Sequence, residues 1–598
     1  MGPLAGASPR LISFSPIALP PRRRPLPRTR RVGRQRRRRR QGQRQRQRKR
    51  QGPTSLSICA RVVHSALMHW NVPGQLSERE EKICQKLGKR SSFYIFLRRA
   101  RNAVFDETFQ SQLASMYEQR PSGKQPVPPA MLAMTIVLQA YTGASDAEAI
   151  ECIKADQRWQ LPLACLGCSK PPFCQKTLVF FRTRLVESGM DQQLLARTVQ
   201  LAKDTGLFDP KKVGKLKVAI DSAPLQGAGR VEDTFNLIGH AIRNLVKAVV
   251  DTGMHTQRQV VEAAGLTVVG PRSVKARLDI DWNDQMARRQ ALGQLVQQAE
   301  RLQSWLDQQA EGLAGDTDVQ AARQLLRRVI DQDTEPDPDG SGPRIKEGTA
   351  PDRLISLSDP DMRHGHKSSS RLVNGYKRYQ AAEIASRVVL AACSLPANVA
   401  EYEGADKMRG DVEQHGKVVE IDVDRAFLPS PWVCETHERG LSIVAKPHTT
   451  PNRGLEFTKQ HFDIDLTLKQ VRCPAGEVTP IQGLLAKFPA DACAKCTLRS
   501  KCQKPEVTAG RIITIHPHED LMQQLQQQVR TVSGRRKLRK RVMIEHNLAH
   551  QCNRQGPRAR YRSTRKNDFD ARRMAVVHNM MLLAAATAQG EDLLAPAA

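Results

Sequence analysis

Between residues 88 and 205 the apolar positions recur every three to four residues, the period of helices that bury one face. "PPAMLAMTIVLQAYTG" starts on proline and stops at Gly143, the usual signs of a helix start and end. Ser145 and Glu148 then form an S-x-x-E capping box ahead of "DAEAIECIKADQRW". "TLVFFRTRLVESG" is a further amphipathic helix, with Arg182 and Arg184 on it. The period shortens in "KLKVAIDSAPLQGAG", where Val218, Ala219 and Ile220 read as a buried strand that ends on Asp221 and turns at the following serine and proline. Two more strands joined by a tight turn are expected over 371–395, and a helix over 400–415. The strand "KVVEIDVD" comes next, with Val419, Ile421 and Val423 alternating onto one face. Residues 284–332 are a long charged helical segment in which Leu292, Leu295, Ala299, Leu302 and Leu306 step by three and four. That seam is under three heptads, so it predicts an intramolecular helical hairpin before a dimer zipper. An acidic linker (331–343), an irregular short-stranded stretch (450–515) and a helical C-terminal region complete the pattern.

Composition changes the picture mainly through charge. The 598 residues provide for several domains and a sizeable core, and 40% hydrophobic with 26% charged residues is globular. The 94 Lys and Arg against 60 Asp and Glu leave +34, which points to a polyanionic partner, nucleic acid first. Part of that surplus lies in 20–53, a low-complexity tract of Arg, Gln and Pro that cannot bury a core. It reads either as a nucleic-acid-binding arm or as upstream sequence translated by an over-long gene model, and 1–87 is expected to be a disordered tract and linker. No apolar run approaches the ~18 residues of a membrane span. "LISFSPIAL" is broken by Pro16 and makes a poor signal peptide. An odd thirteen cysteines argue against a secreted disulfide framework, so a cytoplasmic chain with reduced thiols is expected.

The candidate chemistry lies in carboxylates delivered to element ends. Asp424 closes the strand that begins at Lys417, with Asp422 one step back on the same face as its competitor. Glu545 sits in the basic helix "RKRVMIEHNLAH" beside Val542, Met543, Ile544 and Leu548. Two strand-end aspartates and a helical glutamate are the hard oxygen donors that a two-metal phosphoryl-transfer site needs, although spacing alone singles out many such triples in a long chain.

Four stretches occur in order: "AIDSAPLQGAGRVEDTFNLIGHAIRNLV", "DPDMRHGHKSSSRLVNGYKRYQAAEIASRVVLAACSLPANVAE", "EIDVDRAFLPS" and "IEHNLAHQCNRQGPRARYRSTRKNDFDARRMAVVHN". They resemble the DDE transposases of bacterial insertion sequences, in the branch with a helical N-terminal domain and a ribonuclease H-like catalytic domain. The resemblance covers roughly 90–585. It implies Asp221, Asp424 and Glu545 as the catalytic acids and ligands of two Mg²⁺ or Mn²⁺ ions. It also implies an α/β fold: a ribonuclease H-like mixed sheet with helices, built from 206–230, 346–449 and 516–585. A helical DNA-binding domain (88–205) would precede it, although a plain bundle fits the pattern equally. A helical insertion (231–345) and a Cys-containing insertion (450–515) would interrupt it. The implied activity is binding of terminal inverted repeats, metal-dependent cleavage and strand transfer, by a dimer or higher assembly on double-stranded DNA at the bacterial nucleoid. A catalytically silent domesticated DNA-binding protein, or a ribonuclease H-like nuclease that cuts without joining, are the alternatives.

Relatives that form DNA hairpins carry Tyr, Arg, Glu and Lys around the third acid. Arg541 keeps its place, but Leu538 and Cys552 stand where Tyr and Lys would be, which leaves a hairpin route unsupported. Phosphate contacts are expected from Arg182, Arg184, Lys367, Arg371, Lys377, Arg541, Arg554, Arg558, Arg560, Arg562 and Lys566. "RHGHKSSSR" reads as a backbone-gripping or a solvated basic loop. Cys473, Cys493, Cys496 and Cys502 have the number and partial CxxC spacing of a structural Zn²⁺ site, with reduced buried thiols as the other reading. Cys165, Cys168 and Cys174 lack a fourth ligand. His546 and His550 do not form HExxH, because the Glu precedes them.

Overall fold

A computed structural model describes residues 68–118, 126–208, 215–309, 311–340, 342–368, 370–448 and 454–587. The Arg-rich tract at 20–53 lies outside the described residues. Residues 78–87, grouped with that tract in the sequence reading, form a helix, α1 (Glu78–Leu87). A Ser77–Glu80 capping box sets its start. Helices α2 (Ser92–Val104), α3 (Glu107–Ala114), α4 (Pro129–Thr142), α5 (Asp146–Ala155), α6 (Gln175–Glu187) and α7 (Met190–Asp204) follow. Gly143 closes α4 at φ 78°, and Ser145 with Glu148 caps α5, as the pattern predicts.

The sheet is built from β1 (Lys215–Gln226), β2 (Arg363–Ser368), β3 (Arg371–Glu383), β4 (Val389–Pro396), β5 (Lys417–Asp422) and β6 (Ser442–Val444). Central β1 pairs antiparallel with β3 and parallel with β5. Beyond them, β4 pairs antiparallel with β3, and β6 pairs parallel with β5. The first part of β3 is hydrogen-bonded to β2. The order β4–β3–β1–β5–β6 makes a mixed sheet with three consecutive antiparallel strands and two parallel additions.

Two sequence segments leave this framework and close on cores of their own. Between β1 and β2, α8 (Thr234–Asp251), α9 (Gln285–Asp307) and α10 (Thr317–Asp333) pack together. The seam Leu292, Leu295, Ala299, Leu302 and Leu306 is buried against its own chain, the intramolecular hairpin that the short repeat predicts. A two-stranded ribbon, Thr334–Pro336 with Pro343–Ile345, occupies the stretch read as an acidic linker. After β6, β7 (Asp463–Asp465), β8 (Gln470–Arg472), β9 (Val478–Gln482), β10 (Leu485–Lys487) and β11 (Ile512–Thr514) form an antiparallel sheet around Phe462, Val471, Phe488 and Ile513.

The N-terminal helices, by contrast, share one hydrophobic core with the main sheet. The element that joins them is the last helix. Helix α11 (Tyr402–Glu413) lies between β4 and β5, and α12 (Pro431–Glu438) between β5 and β6. The chain ends in α13 (Glu519–Arg530), α14 (Val532–Lys540), α15 (Val542–Gln555) and α16 (Thr564–Thr587). Helix α16 packs on β4, α7 and α4 at once. Among the described residues no helix is long and apolar enough to cross a membrane.

The seam between helices and sheet carries a titratable group. His415 is buried at the end of α11, and Lys203 of α7 donates to its carbonyl oxygen at 2.8 Å. Burial, with the Lys203 charge adding to it, holds the imidazole down to about 4. Unfolding restores an ordinary value near 6.5, so the unfolded chain binds the extra proton. Stability is therefore complete above pH 6.5 and falls as pH drops towards 4, by up to about 3 kcal/mol from this group. Thermal unfolding of wild type and His415→Gln across that window should show a shallower acid slope in the variant; parallel slopes would remove His415 from the account.

Candidate active site

Asp221 does not end its strand. Strand β1 runs on to Gln226, with Asp221 opposite Gln380 of β3. The change of environment occurs on the other edge, because the parallel partner β5 is paired only as far as Ala219–Asp422. Beyond Ala219 that edge is open until Gln226, where the 557–559 segment closes it: Gln226 N–H donates to Pro557 O, and Ala559 N–H to Gln226 O. Pro224 lies in the same gap, an edge position where a missing N–H is tolerated. The strand thus presents Asp221 through a notch in its own sheet, and α15 packs against β1 beside it.

Asp424 lies two residues past the end of β5 and caps a 3₁₀ turn, its Oδ1 accepting from Arg425 N–H at 2.8 Å. Glu545 sits in the first turn of α15 with its side chain half exposed. Arg541 joins two of the acids: Nη1 donates to Asp221 Oδ2 at 3.2 Å and Nη2 to Glu545 Oε1 at 2.9 Å. Burial pushes the Asp221 carboxyl above its ordinary value, and the neighbouring Glu545 and Asp424 charges add to this. The Ser222 N–H and the Arg541 guanidinium pull it back. The three acids therefore share one electrostatic neighbourhood, drawn from β1, the β5 turn and α15.

Asp422 belongs to a different neighbourhood. It is 1% exposed, and its Oδ1 has no hydrogen-bond partner among the described residues. Burial first, then Glu420, lifts its carboxyl to about 7 against the pull of Lys217, Lys537 and Lys540. Lys217 and Lys537 flank Glu420 at 3.3 and 3.5 Å. Glu401 is a further acid near the site that strand and helix patterns did not flag: its Oε1 accepts from Ser222 Oγ at 3.0 Å, next to Asp221. Nothing local marks it, since the contact spans 179 residues.

Among the described residues no group of three or more His, Cys, Asp or Glu side chains already stands in metal-holding geometry. The acid set nevertheless suits a hard divalent cation. Its donors are carboxylate oxygens, their mutual repulsion opposes ionisation at Asp221, and the Arg541 guanidinium spans two of the three. The cysteines converge in the small sheet module. Cys473, Cys493 and Cys502 pack on its core, and burial raises the Cys502 thiol against the pull of Arg511, with Cys493, Cys473 and Cys496 near enough to add to the rise.

The expected DNA contacts divide by environment. Arg182 is held by Asp146 and Gln139 and stacks over Tyr561, inside the helix–sheet seam. Lys377 donates to Val399 O at 2.8 Å. Arg554 lies over Tyr141 with Nη1 buried. Arg184, Lys367, Arg371, Arg558, Arg560, Arg562 and Lys566 are exposed. Of these, Arg558 donates to Gly227 O, and Arg560 to Gly143 O.

Two family models match parts of this arrangement. One, described as Transposase DDE domain, covers 479–584, which includes Glu545 and most of the four terminal helices. The other, Transposase domain (DUF772), covers 82–184, the helices from α1 to α6. Together they support a DDE transposase of the insertion-sequence type. Such a transposase implies a dependence on divalent metal in general, and DNA as the molecule acted on. Asp221 and Asp424 lie outside both matched segments. No curated protein and no solved structure matches the chain.

Since burial and like charge both disfavour ionised Asp221, its charge costs stability at neutral pH when no metal is present. Asp221→Asn should raise the melting midpoint in chelator at pH 7 by about 1–3 °C. A lowered midpoint would mean that the Arg541 ion pair outweighs the burial.

Proposed function

We propose that this transposase binds the terminal inverted repeats of its element, cleaves DNA in a metal-dependent reaction and joins the freed end to target DNA, within a ribonuclease H-like domain. The observation that carries the reading is the meeting of three acids from segments far apart in sequence: Arg541 bridges Asp221 and Glu545, and the Asp424 charge lies close enough to raise the Asp221 carboxyl. The strand order, with three antiparallel strands extended by two parallel ones, supports the ribonuclease H-like assignment. In this reading the three acids would hold Mg²⁺, whose charge would supply activation of the attacking oxygen and stabilisation of the leaving one.

Each residue then has a defined task. Asp221, fixed on a rigid strand, and Asp424, fixed by its cap on Arg425 N–H, set the ligand positions. Glu545 comes from a helix and has the freest side chain of the three. Arg541 neutralises the acids before DNA arrives and is placed to meet a phosphate afterwards. Cleavage adds water across a phosphodiester, giving a 3′-hydroxyl and a 5′-phosphate. Joining is the same displacement at phosphorus with that 3′-hydroxyl as nucleophile and a target 3′-hydroxyl as leaving group. Lys367, Arg371, Arg562 and Lys566 are exposed for backbone contacts, whereas Arg184 lies over the Tyr117 ring.

Asp424→Asn should retain binding to DNA with the flanking element ends while losing Mg²⁺-dependent cleavage by at least about a hundredfold, the scale of removing one electrostatic partner of a transition state. Cutting equal to wild type would transfer the role to Asp422. A wild type that binds the ends without cutting would favour a domesticated binding protein, and cleavage without joined product would favour a nuclease.

The cysteine module is proposed to hold structural zinc, supported by the proximity of Cys502 to Cys473, Cys493 and Cys496. Purified protein should contain about one zinc per chain, lost in Cys493→Ser. A zinc-free wild type would leave the four as reduced buried thiols.

A further inference from the structure

Helix α14, "VSGRRKLRK", carries five cations and no acid, and it leads directly into the site. Its cations have separate fates. Arg535 turns back to the preceding helix, donating to Val529 O at 3.2 Å and Arg530 O at 2.7 Å. Lys537 reaches Glu420 in β5, and Arg541, one turn on, reaches Asp221 and Glu545. That face is pinned to the carboxylates. Arg536, Arg539 and Lys540 are all exposed, and among the described residues none of them forms an ion pair, although the Lys540 charge reaches the Asp422 carboxyl. Their i, i+3, i+4 spacing places them side by side, about a third of a turn from the pinned face.

Three adjacent like charges on one helical row repel one another, which destabilises a helix. Elsewhere the exposed cations of helices are often balanced: Lys82 by Glu78, Lys247 by Asp251, Arg258 by Glu262. The row on α14 has no such ion pair, and the helix reaches β5 through the contact of Lys537 with Glu420. A row of exposed cations without ion pairs presents net positive charge to solvent, the kind of surface that attracts a polyanion. The row spans ~6 Å along the helix axis, enough for two neighbouring phosphates at ~3.4 Å of duplex axis per strand.

We infer that Arg536, Arg539 and Lys540 form a phosphate track for one strand of the DNA entering the carboxylate site, a grip that adds affinity without reading sequence. This rests on the proposed DNA-cleaving function and assigns it a specific entry surface. The track lies beside Arg541, so a strand held there passes from free cations to the cation that touches the acids. Long side chains on an exposed row contact backbone oxygens, which every sequence presents alike.

The test uses the full chain, as wild type and as the triple variant Arg536→Gln, Arg539→Gln, Lys540→Gln, with the melting midpoint recorded for both. Each binds a duplex carrying the element ends and an unrelated duplex of equal length at several salt concentrations. Each lost phosphate contact should lower the slope of log K against log salt by about 0.9, so the triple variant should lose between about 2 and 3. The affinity loss should be the same factor on both duplexes, leaving their ratio unchanged. Arg539→Gln alone should lower the slope by about 0.9, which covers a triple variant that folds poorly. An unchanged slope in a variant of a DNA-binding wild type would overturn the track and leave the cleavage proposal standing. A loss confined to the element-end duplex would overturn it in favour of sequence reading, and an unchanged slope with loss of an acidic protein partner would reassign the surface. A wild type that binds neither duplex would sink both proposals.

Discussion

Asp191, at the start of α7, is 3% exposed and would be an expensive charge to bury alone. Two guanidinium groups from α16 surround it: Arg572 at 3.0 Å, and Arg565, which also donates to Val186 O. The same helix offers buried Asp568 to Ser394 N–H and to Lys407 at 3.0 Å, and buried Asn579 to both backbone groups of Val389 and to Thr198. Helix α16 therefore cannot be placed approximately. Asp568, Asn579 and the guanidinium pair around Asp191 are satisfied at one position relative to both the helices and the sheet, so a displaced α16 would leave several buried groups unpaired at once. Its start is held just as firmly, since Ser563 N–H donates to Asp359 and Thr564 N–H to Asp361, two acids suited to a helix N-terminus.

That placement reaches the site through its neighbour. Helix α15 packs on both α16 and β1, and Arg378 of β3 is bonded to Gln555 and Gly556 at its end. Glu545 and Arg541 are thus brought to the notch in β1 by a helix whose far end is anchored in the core. The notch itself comes from unequal strand lengths: β5 stops while β1 continues, and the chain after β5 bends into the turn that Asp424 caps. Rigidity in β1 and freedom at Glu545 coexist because one acid lies within a paired strand and the other on an exposed helical turn.

The two inserted segments leave this arrangement undisturbed because each closes its own core. The helices from 234 to 333 bury their seam on one another, and the small sheet of 463–514 does the same around Phe462 and Phe488. A segment that satisfies its own apolar surface can leave and re-enter a sheet between strands at little cost to the register of the rest.

Local pattern alone determined much of this protein. The caps at Ser145 and Gly143, the buried Leu292–Leu306 seam and the strands near 371–395 depend on period and residue type, which neighbours in sequence supply, whereas the choice of the three candidate acids rested on the family resemblance. The tertiary structure decided what depends on partners far along the chain. Asp221 looked like a strand end because a serine and proline follow it, but it is mid-strand, and its exposure comes from the early end of β5, about two hundred residues away. Asp422 and Asp424 share a parity, so alternation could not separate them; the end of pairing did, leaving one buried beside Glu420 and the other at the turn. Arg182 and Arg541 both read as helical arginines in basic stretches, yet one closes the seam with Asp146 and the other, at the turn between α14 and α15, reaches the acids. A periodic pattern states which face a residue occupies. What that face meets is set by long-range pairing, which the sequence encodes only through the fold as a whole.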